Sequence, residues 1–494
     1  MKLQDLCRAA GLDCPKDAGL LEISAVVTDS RRVTSGGLFV CIDGLHNDGH
    51  EFIDLAVKNG SVAVVVEAEH EFTASSDTVL LQAANTRQAA AMLYHAWYGF
   101  PTSRLHMIGV TGTNGKTSVS YLIRRILESA GCRCGLIGTV GCESLGRPLD
   151  SRSENRLANM TTPDPEVLYR LLSEMVRDGV EYVVMEVTSH ALSLGKVAPI
   201  CFDVGVFTNL TPEHLDFHQT MEAYAEAKAE LFSKSRVAVI NLDSPSSELM
   251  KKNAKGRVIG CSAACVADVY ADEVTFSENG VAYAMHVGRE SLRITCPIPG
   301  EFTLMNSMQA AIAALCMGVR TDCVQNALSD FCGVKGRMEC VALPGADFRV
   351  WIDYAHTPDA LERLLISARR IKKKNGRVVL LFGCGGDRDR SKRAAMGRIA
   401  SQYADFVIVT SDNSRGEDPW QIVREICRGI LPQTFHRVIL DRHEAIRYAV
   451  LQAKPDDLIL LAGKGHEEYE IIRDERRPFF ERAIVQSAFA ERAH

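Results

Sequence analysis

No stretch of this 494-residue chain approaches the roughly 20 consecutive apolar residues needed to cross a bilayer, so no membrane insertion is expected. Its opening segment, MKLQDLCRAAGLDC, has neither a basic start nor an apolar run, which argues against a secretory leader. A basic excess is also missing. With 56 Lys and Arg against 62 Asp and Glu, the net charge of -6 speaks against a nucleic-acid partner, and any anion site must be a local basic pocket. Sixteen cysteines are present, but Cys132 with Cys134 and Cys261 with Cys265 lack the CxxC spacing of a zinc site. Reduced, mostly buried thiols in the cytoplasm are the expected state. The sequence also lacks a Ser/His/Asp or Cys/His constellation, a short internal repeat and any low-complexity segment.

The chain does carry a regular alternation of short β-rich runs and helix-length amphipathic segments, the pattern of parallel sheets covered by helices. Its length points to two to four domains, three most naturally, and the alternation with its breaks places three of class α/β at residues 1–100, 101–335 and 336–494. In the first, strands are expected at Ala25–Thr28, Leu38–Ile42 and Val62–Val66, with a helix at Thr86–Trp97 and a linker beginning at Tyr98. The second should hold a parallel sheet of the phosphate-loop ATPase type. Its strands are expected at Leu105–Val110, Tyr182–Val187, Val204–Thr208 and Val237–Asn241, and its helices at Ser118–Ala130, Pro165–Asp178, Met221–Ser233 and Ser307–Cys316. Residues 265–296 read as an antiparallel excursion. The third reads as a Rossmann-like doubly wound sheet, with strands at Arg349–Asp353, Val378–Phe382, Phe406–Thr410, Val438–Leu440 and Leu458–Ala462.

The strongest local signal is Gly109-Val110-Thr111-Gly112-Thr113-Asn114-Gly115-Lys116-Thr117, set between a predicted strand and a predicted helix. Glycines there let successive backbone N–H groups turn toward phosphate oxygens, backed by the helix N-terminus. Lys116 would reach the outer phosphates and the Thr117 hydroxyl would ligate magnesium. Val110 stands where the strict GxxxxGK[ST] pattern has its first glycine.

The run TGTNGKT resembles the phosphate loop of the Mur ligase superfamily, and the rest of the chain is similar to its tripeptide-synthetase branch. The likeness also rests on Asp29-Ser30-Arg31, Thr161-Thr162-Pro163, Glu186–His190, Thr208-Asn209-Leu210 and His214-Leu215-Asp216. Further on come Gly336–Glu339, Asp353–Pro358, Gly383–Arg388, Asp412–Arg415 and Gly463–Glu467. The resemblance implies a monomeric cytoplasmic ligase of three domains that uses ATP and Mg2+. It would join meso-diaminopimelate to the D-glutamate side-chain carboxylate of UDP-N-acetylmuramoyl-L-alanyl-D-glutamate in peptidoglycan precursor synthesis.

The resemblance assigns the ATP site to Gly112, Thr113, Asn114, Gly115, Lys116, Thr117 and Ser118, with Asn306, Arg337, Asp353 and His356 contacting the nucleotide. Thr303 stands where the family usually has Asn, and Lys335 where it has Pro. The catalytic set implied is Lys116, Glu186, His214 and Lys228, and the metal set Thr117, Glu186, His214 and Lys228. By pattern alone Lys228 reads as a solvated lysine; the resemblance makes it a carbamylated one, whose carboxylate would bind a second magnesium. The uridine-nucleotide substrate is assigned to Ser30, Leu45, His46, Asn47, Thr161, Thr162, Thr188 and Lys196, the last replacing a common arginine.

Arg388, Asp412, Asn413, Ser414, Arg415, Gly463 and Glu467 form the implied amino-acid pocket. Their guanidiniums, carboxylates and amide fall at predicted strand ends of one sheet and suit a zwitterion. The family motif that accompanies diaminopimelate is Asp-Asn-Pro-Arg; here it reads Asp412-Asn413-Ser414-Arg415, and losing the proline is expected to loosen the loop. Alternatives are the same ligase using L-lysine, a folylpolyglutamate-type ligase, and a regulatory phosphate-loop NTPase that makes no covalent product.

Overall fold

The computed structural model describes residues 1–44, 47–69, 78–150 and 160–492. Among these, the N-terminal sheet has four parallel strands in sequence order: Ala25–Val27, Gly37–Val40, Ser61–Glu67 and Val79–Ala83. The central sheet is eleven-stranded and begins its parallel core at His106–Thr111, which lies between Phe202–Phe207 and Tyr182–Glu186. Strand order reverses on either side of His106–Thr111. That is the point where an open α/β sheet leaves a crevice beyond its carboxyl ends. The expected excursion is present as the antiparallel strands Val269–Ser277, Gly280–Val287 and Glu290–Cys296 at one edge.

Helices Lys116–Ser129, Phe302–Cys316 and Thr321–Ser329 bury their apolar stripes on one face of the central sheet. Pro165–Arg177 and Met221–Ser233 cover the other face, and that core runs without a break into the N-terminal sheet through helix Thr86–Trp97. In the last block, Arg349–Asp353, Leu458–Ala462, Val378–Phe382, Phe406–Val409 and His436–Val438 pair parallel in that order. Its helices lie on both faces around two separate apolar clusters. No helix of the described residues is long and apolar enough to cross a membrane.

Several elements depart from the sequence expectation. The phosphate-loop helix starts at Lys116, not Ser118, because Gly115 in a left-handed conformation already turns the chain into it. The helix expected from Ser307 starts at Phe302, just after Pro299-Gly300 breaks the preceding chain. The strand expected at Val438–Leu440 lies at His436–Val438, where Val407 pairs with His436 and Val409 with Val438. Strands Val79–Ala83 and Cys134–Ile137, the hairpin Tyr469–Ile472/Glu475–Pro478 and the helix Glu481–Arg492 are additional.

Candidate active site

The phosphate loop leaves the sheet at Thr111 and can be built only from these residues. Gly112 has φ +146°, and a Cβ there would lie 1.9 Å from Thr208 Oγ1; Gly115 has φ +88°, and its Cβ would lie 2.7 Å from Asn306 Oδ1. Both positions are closed to side chains by space as well as by backbone conformation. Asn209 supports the loop at two points: its Oδ1 accepts from Asn114 N at 3.0 Å, and its Nδ2 donates to Asn114 O at 3.0 Å. Thr208 Oγ1 donates to the same carbonyl at 2.6 Å. Lys116 Nζ curls over the loop and donates to Gly112 O and Thr113 O, each at 2.9 Å.

At the first turn of the helix, Thr117 Oγ1 donates to Glu186 Oε2 at 3.1 Å. Glu186 is fully buried at the end of its strand, and Thr139 fixes it with a backbone N–H to Oε1 at 2.9 Å and a hydroxyl to Oε2 at 3.0 Å. Two hard oxygens thus stand side by side where a magnesium ion with phosphate and water ligands would fit. They do not make a cage on their own, and no group of three His, Cys, Asp or Glu suited to a metal occurs among the described residues. His214 takes φ +57° beside Glu213, 3.8 Å away, and packs edge-on against His190. No hydrogen bond or ion pair joins His214 to Thr117 or Glu186 among the described residues.

Lys228 is not a solvated residue: it is 1% exposed, and its Nζ donates to Gly112 O at 2.9 Å above the Tyr224 ring. Burial, reinforced by the charge of Lys116, pushes its ammonium well below the usual lysine range.

The C-terminal sheet closes the same cavity from the other side. The loop residues Thr113–Ser118, Asn306, Arg337, Asp353–Thr357 and Ala360 line one space. Arg337 Nη2 donates to Thr117 Oγ1 at 3.1 Å, and Asp359 Oδ2 accepts from Asn114 Nδ2 at 2.8 Å. Asp353, expected to contact the nucleotide, lines this space and accepts from the backbone N–H groups of Met338 and Ala355, each at 2.8 Å, and burial raises its carboxyl. His356 Nδ1 donates to Tyr354 O at 2.8 Å, and the residue lines the same cavity. Thr303 is buried within its helix, and Lys335 pairs with Glu468 across the seam.

From Arg337 the contacts continue to a second group of residues. Its guanidinium lies over the Tyr354 ring at 4.7 Å, and that ring packs on His466 at 4.9 Å, one residue before Glu467. Asp412, Asn413, Ser414 and Glu467 meet there beyond the ends of their strands. Asn413 Nδ2 donates to Glu467 Oε2 at 2.8 Å, and a Cβ on Gly463 would lie 2.8 Å from Asp412 Oδ2. Arg415 has φ +48° and donates through Nη1 to Gly386 O at 2.8 Å. Burial, then the nearby charge of Arg388, lowers its pKa. The loosening expected from Ser414 is offset by the extra hairpin: Arg415 N donates to Ile471 O at 3.1 Å and Arg473 N to Arg415 O at 2.8 Å.

The residues expected to hold a uridine nucleotide are spread over two blocks. Thr161 bonds Thr139 at 2.9 Å, Thr162 donates to Glu186 O at 2.9 Å, and Thr188 N donates to Thr162 Oγ1 at 3.1 Å, so these three join the rim of the metal-competent carboxylate. Lys196 pairs with Asp164 at 2.8 Å. Ser30 is buried in the N-terminal block and reaches them only indirectly: Arg32, two residues on, pairs with Glu166 at 2.6 Å. Asn47 O accepts from Gly44 N at 3.0 Å; Leu45 and His46 lie outside the described residues. Sequence reasoning passed over Thr139, Glu213, Asp359 and Lys464 as individual residues. Only Lys464 left a visible signal, a lysine between two glycines directly after a strand.

Three family models match the chain: "Mur ligase family, catalytic domain" over residues 22–110, "Mur ligase middle domain" over 110–314, and "Mur ligase, glutamate ligase domain" over 336–465. The UDP-N-acetylmuramoyl-L-alanyl-D-glutamate--2,6-diaminopimelate ligase of Caldanaerobacter subterraneus subsp. tengcongensis is 42% identical, with 99% of both chains covered. A protein of the same name from Geobacillus kaustophilus is also 42% identical, covering 95% of this chain and 96% of the relative. A solved structure bearing that name superposes with a TM-score of 0.72 at 31% identity over the full length of both chains. The folylpolyglutamate synthase of Mycobacterium tuberculosis, at 18% identity and a TM-score of 0.62, shares the fold over 82% of this chain and 94% of its own. With motifs, fold and full-length relatives in agreement, the chain belongs to the Mur ligase family.

Proposed function

We propose that this ligase uses ATP to activate the D-glutamate side-chain carboxylate of UDP-N-acetylmuramoyl-L-alanyl-D-glutamate and joins it to meso-diaminopimelate. One observation carries the reading. The phosphate loop and the zwitterion-suited pocket face a continuous line of contacts, from Thr117 through Arg337, Tyr354 and His466 to Glu467. A phosphoryl group transferred at the first and an amine held at the second would meet on one carboxylate.

In this mechanism the substrate carboxylate attacks the γ-phosphorus, the bond to the bridging oxygen breaks, and ADP leaves an acyl phosphate. The amine adds to the acyl carbon, loses a proton, and the tetrahedral intermediate expels inorganic phosphate. Little covalent work falls to the protein, so positioning and charge stabilisation dominate. Backbone N–H groups of the loop and the helix N-terminus would hold the outer phosphates, and Lys116 would swing from its two carbonyls onto them. Arg337, already on the Thr117 hydroxyl, would offset charge on the transferred group. Asn306, against Gly115, and His356 would flank the nucleoside.

Thr117 and Glu186 are the residues that would hold magnesium, which supplies charge neutralisation of the phosphates. Lys228, whose pKa burial lowers, is suited to add CO2: its neutral amine would form an N–C bond, a proton would leave, and a carbamate oxygen would become available to a second cation. Thr161, Thr162, Thr188 and Lys196 would meet the substrate's acidic stem, with Ser30 and Asn47 on the uridine side. A cytoplasmic monomer is part of this reading.

Phosphate release tests it. Release should require ATP, the UDP-sugar dipeptide and diaminopimelate together. Release with ATP alone would make the chain a regulatory NTPase, and release with a folate would move it to the folylpolyglutamate branch.

A further inference from the structure

The amino-acid pocket has beneath it a charged residue that the mechanism above does not use. Lys464 is 0% exposed. Its Nζ donates to Asn413 Oδ1 at 2.9 Å and to Tyr469 O at 3.0 Å, with Asp412 Oδ1 at 3.3 Å, while the Phe479 ring lies 5.6 Å away. An ammonium has three N–H groups, and three acceptors from two separate segments, Asp412-Asn413 and Tyr469, surround this one. A buried charge is costly to keep unless its partners are fixed around it, so the lysine and its acceptors specify one another's positions.

The consequence falls on Asn413. Its Oδ1 accepts both Lys464 Nζ and the backbone N–H of Ile471, the latter at 2.9 Å. Rotating the amide by half a turn would set its NH2 group against an ammonium and an N–H. Only one orientation survives, and it presents Nδ2 as a donor to Glu467 Oε2 at 2.8 Å. Asp412 is drawn to the same ammonium, so each polar wall of the pocket is placed by a group that never faces the ligand. With Arg388 and Arg415, Lys464 also leaves the pocket one positive charge in excess of Asp412 and Glu467. That balance suits an amino acid with two carboxylates and one ammonium, its attacking amine being neutral.

We propose that Lys464 is a positioning residue for amine-donor binding, locking the Asn413 amide and, through it, the Glu467 carboxylate. This rests on the amino-acid pocket assigned above.

The test uses the full-length enzyme and steady-state kinetics for each substrate in turn, the amine being the one the wild type accepts from a panel that includes diaminopimelate and lysine. Lys464→Met should raise KM for that amine by about 10- to 100-fold, the range carried by one hydrogen bond to a charged group. KM for ATP and for the UDP-sugar dipeptide should stay within about twofold, which general loosening of the fold would not produce. A folded Lys464→Met enzyme with an unchanged amine KM, or with all three KM values raised alike, overturns the proposal. Should that variant not fold, Asn413→Asp keeps both acceptor contacts and replaces only the donor facing Glu467. It should show the same selective rise, and an unchanged amine KM there equally overturns the proposal. A wild type that accepts lysine in place of diaminopimelate overturns the amine assigned earlier, and Lys464 is then judged on lysine.

Discussion

Lys116 and Lys228 donate to the same carbonyl oxygen, that of Gly112, each at 2.9 Å. Two ammonium groups sharing one acceptor repel each other, and the deeper one is the easier to neutralise. Lys228 is that one. Burial and then Lys116 lower its pKa against the opposing charge of Glu213, whereas Lys116, also lowered by burial, is supported by Glu186 as well as Glu213.

A neutral Lys228 amine is the form that takes up CO2. Lys228→Ala should therefore be nearly inactive, with part of the activity restored by added short carboxylic acids, which can occupy the place of a carbamate. Native mass spectrometry of the active enzyme should find one CO2 adduct on this residue. A fully active enzyme with a bare amine there would sink the idea.

Lys116→Ala should reduce ligation by on the order of 10²–10³-fold, since it removes a cation placed for charge that builds during transfer. Its side chain bonds only two loop carbonyls, so the thermal midpoint should barely move. Near-normal product formation in this variant would refute the ATP assignment.

Asp359 links the first turn of helix Pro358–Ile371 to the phosphate loop through Asn114 at 2.8 Å and Thr211 at 3.3 Å. If this contact seats the C-terminal block over the loop, Asp359→Ala should lower kcat about tenfold while costing about 1 kcal/mol of stability, the usual figure for a lost hydrogen bond. An unchanged kcat would assign the contact no part in the reaction.

Acid should expose Asp412. Burial raises its carboxyl, but Lys464 first and Arg442 next outweigh that and hold it down at about 2, against an ordinary 3.8. A carboxylate depressed on folding stabilises fully above its unfolded pKa, and that contribution is lost as pH falls through the folded value. The contribution is about 2 kcal/mol and should vanish between about pH 4 and pH 2. Urea titrations of wild type and Asp412→Asn should differ at neutral pH and converge across that window. A constant difference would place the stabilisation elsewhere.

The alternation of apolar runs and amphipathic helices made the sheets legible, because parallel strands buried on both faces read as continuous hydrophobic stretches, as in Val378–Phe382 and Leu458–Ala462. The elements that escaped have weaker signals. The hairpin after Tyr469 turns at Arg473, whose φ of +52° a glycine or asparagine would have announced, and its strands carry charge on both faces. Strand His436–Val438 starts in exposed polar residues at a sheet edge, so the apolar Val438–Leu440 drew the reading two residues along. Lys228 was illegible for a different reason. Its partner is a loop carbonyl 116 residues away, and no helical pattern encodes such a contact. Lys464 and Asp359 likewise act through neighbours that only the folded chain assembles.

The choice of amine turns on Arg415. Its Nη1 is engaged by Gly386 O at 2.8 Å and Asn413 O at 3.4 Å, and the hairpin holds its backbone from both sides. Among the described residues no hydrogen bond is made by its Nη2 or Nε, which leaves two donors of the planar fork for a carboxylate. Meso-diaminopimelate carries a second carboxylate at its far end; lysine carries none. With lysine the half-buried guanidinium would face no acceptor, and the charge of Arg388 beside it would remain unbalanced. Sites built around a polar partner reject analogues lacking it by roughly 10⁴-fold or more. The wild-type enzyme should accordingly prefer diaminopimelate over lysine by a large factor in kcat/KM, and Arg415→Ala should lose most of that preference by losing diaminopimelate. Equal efficiency with lysine, or full selectivity retained without the guanidinium, would show that the far carboxylate is recognised by something other than Arg415.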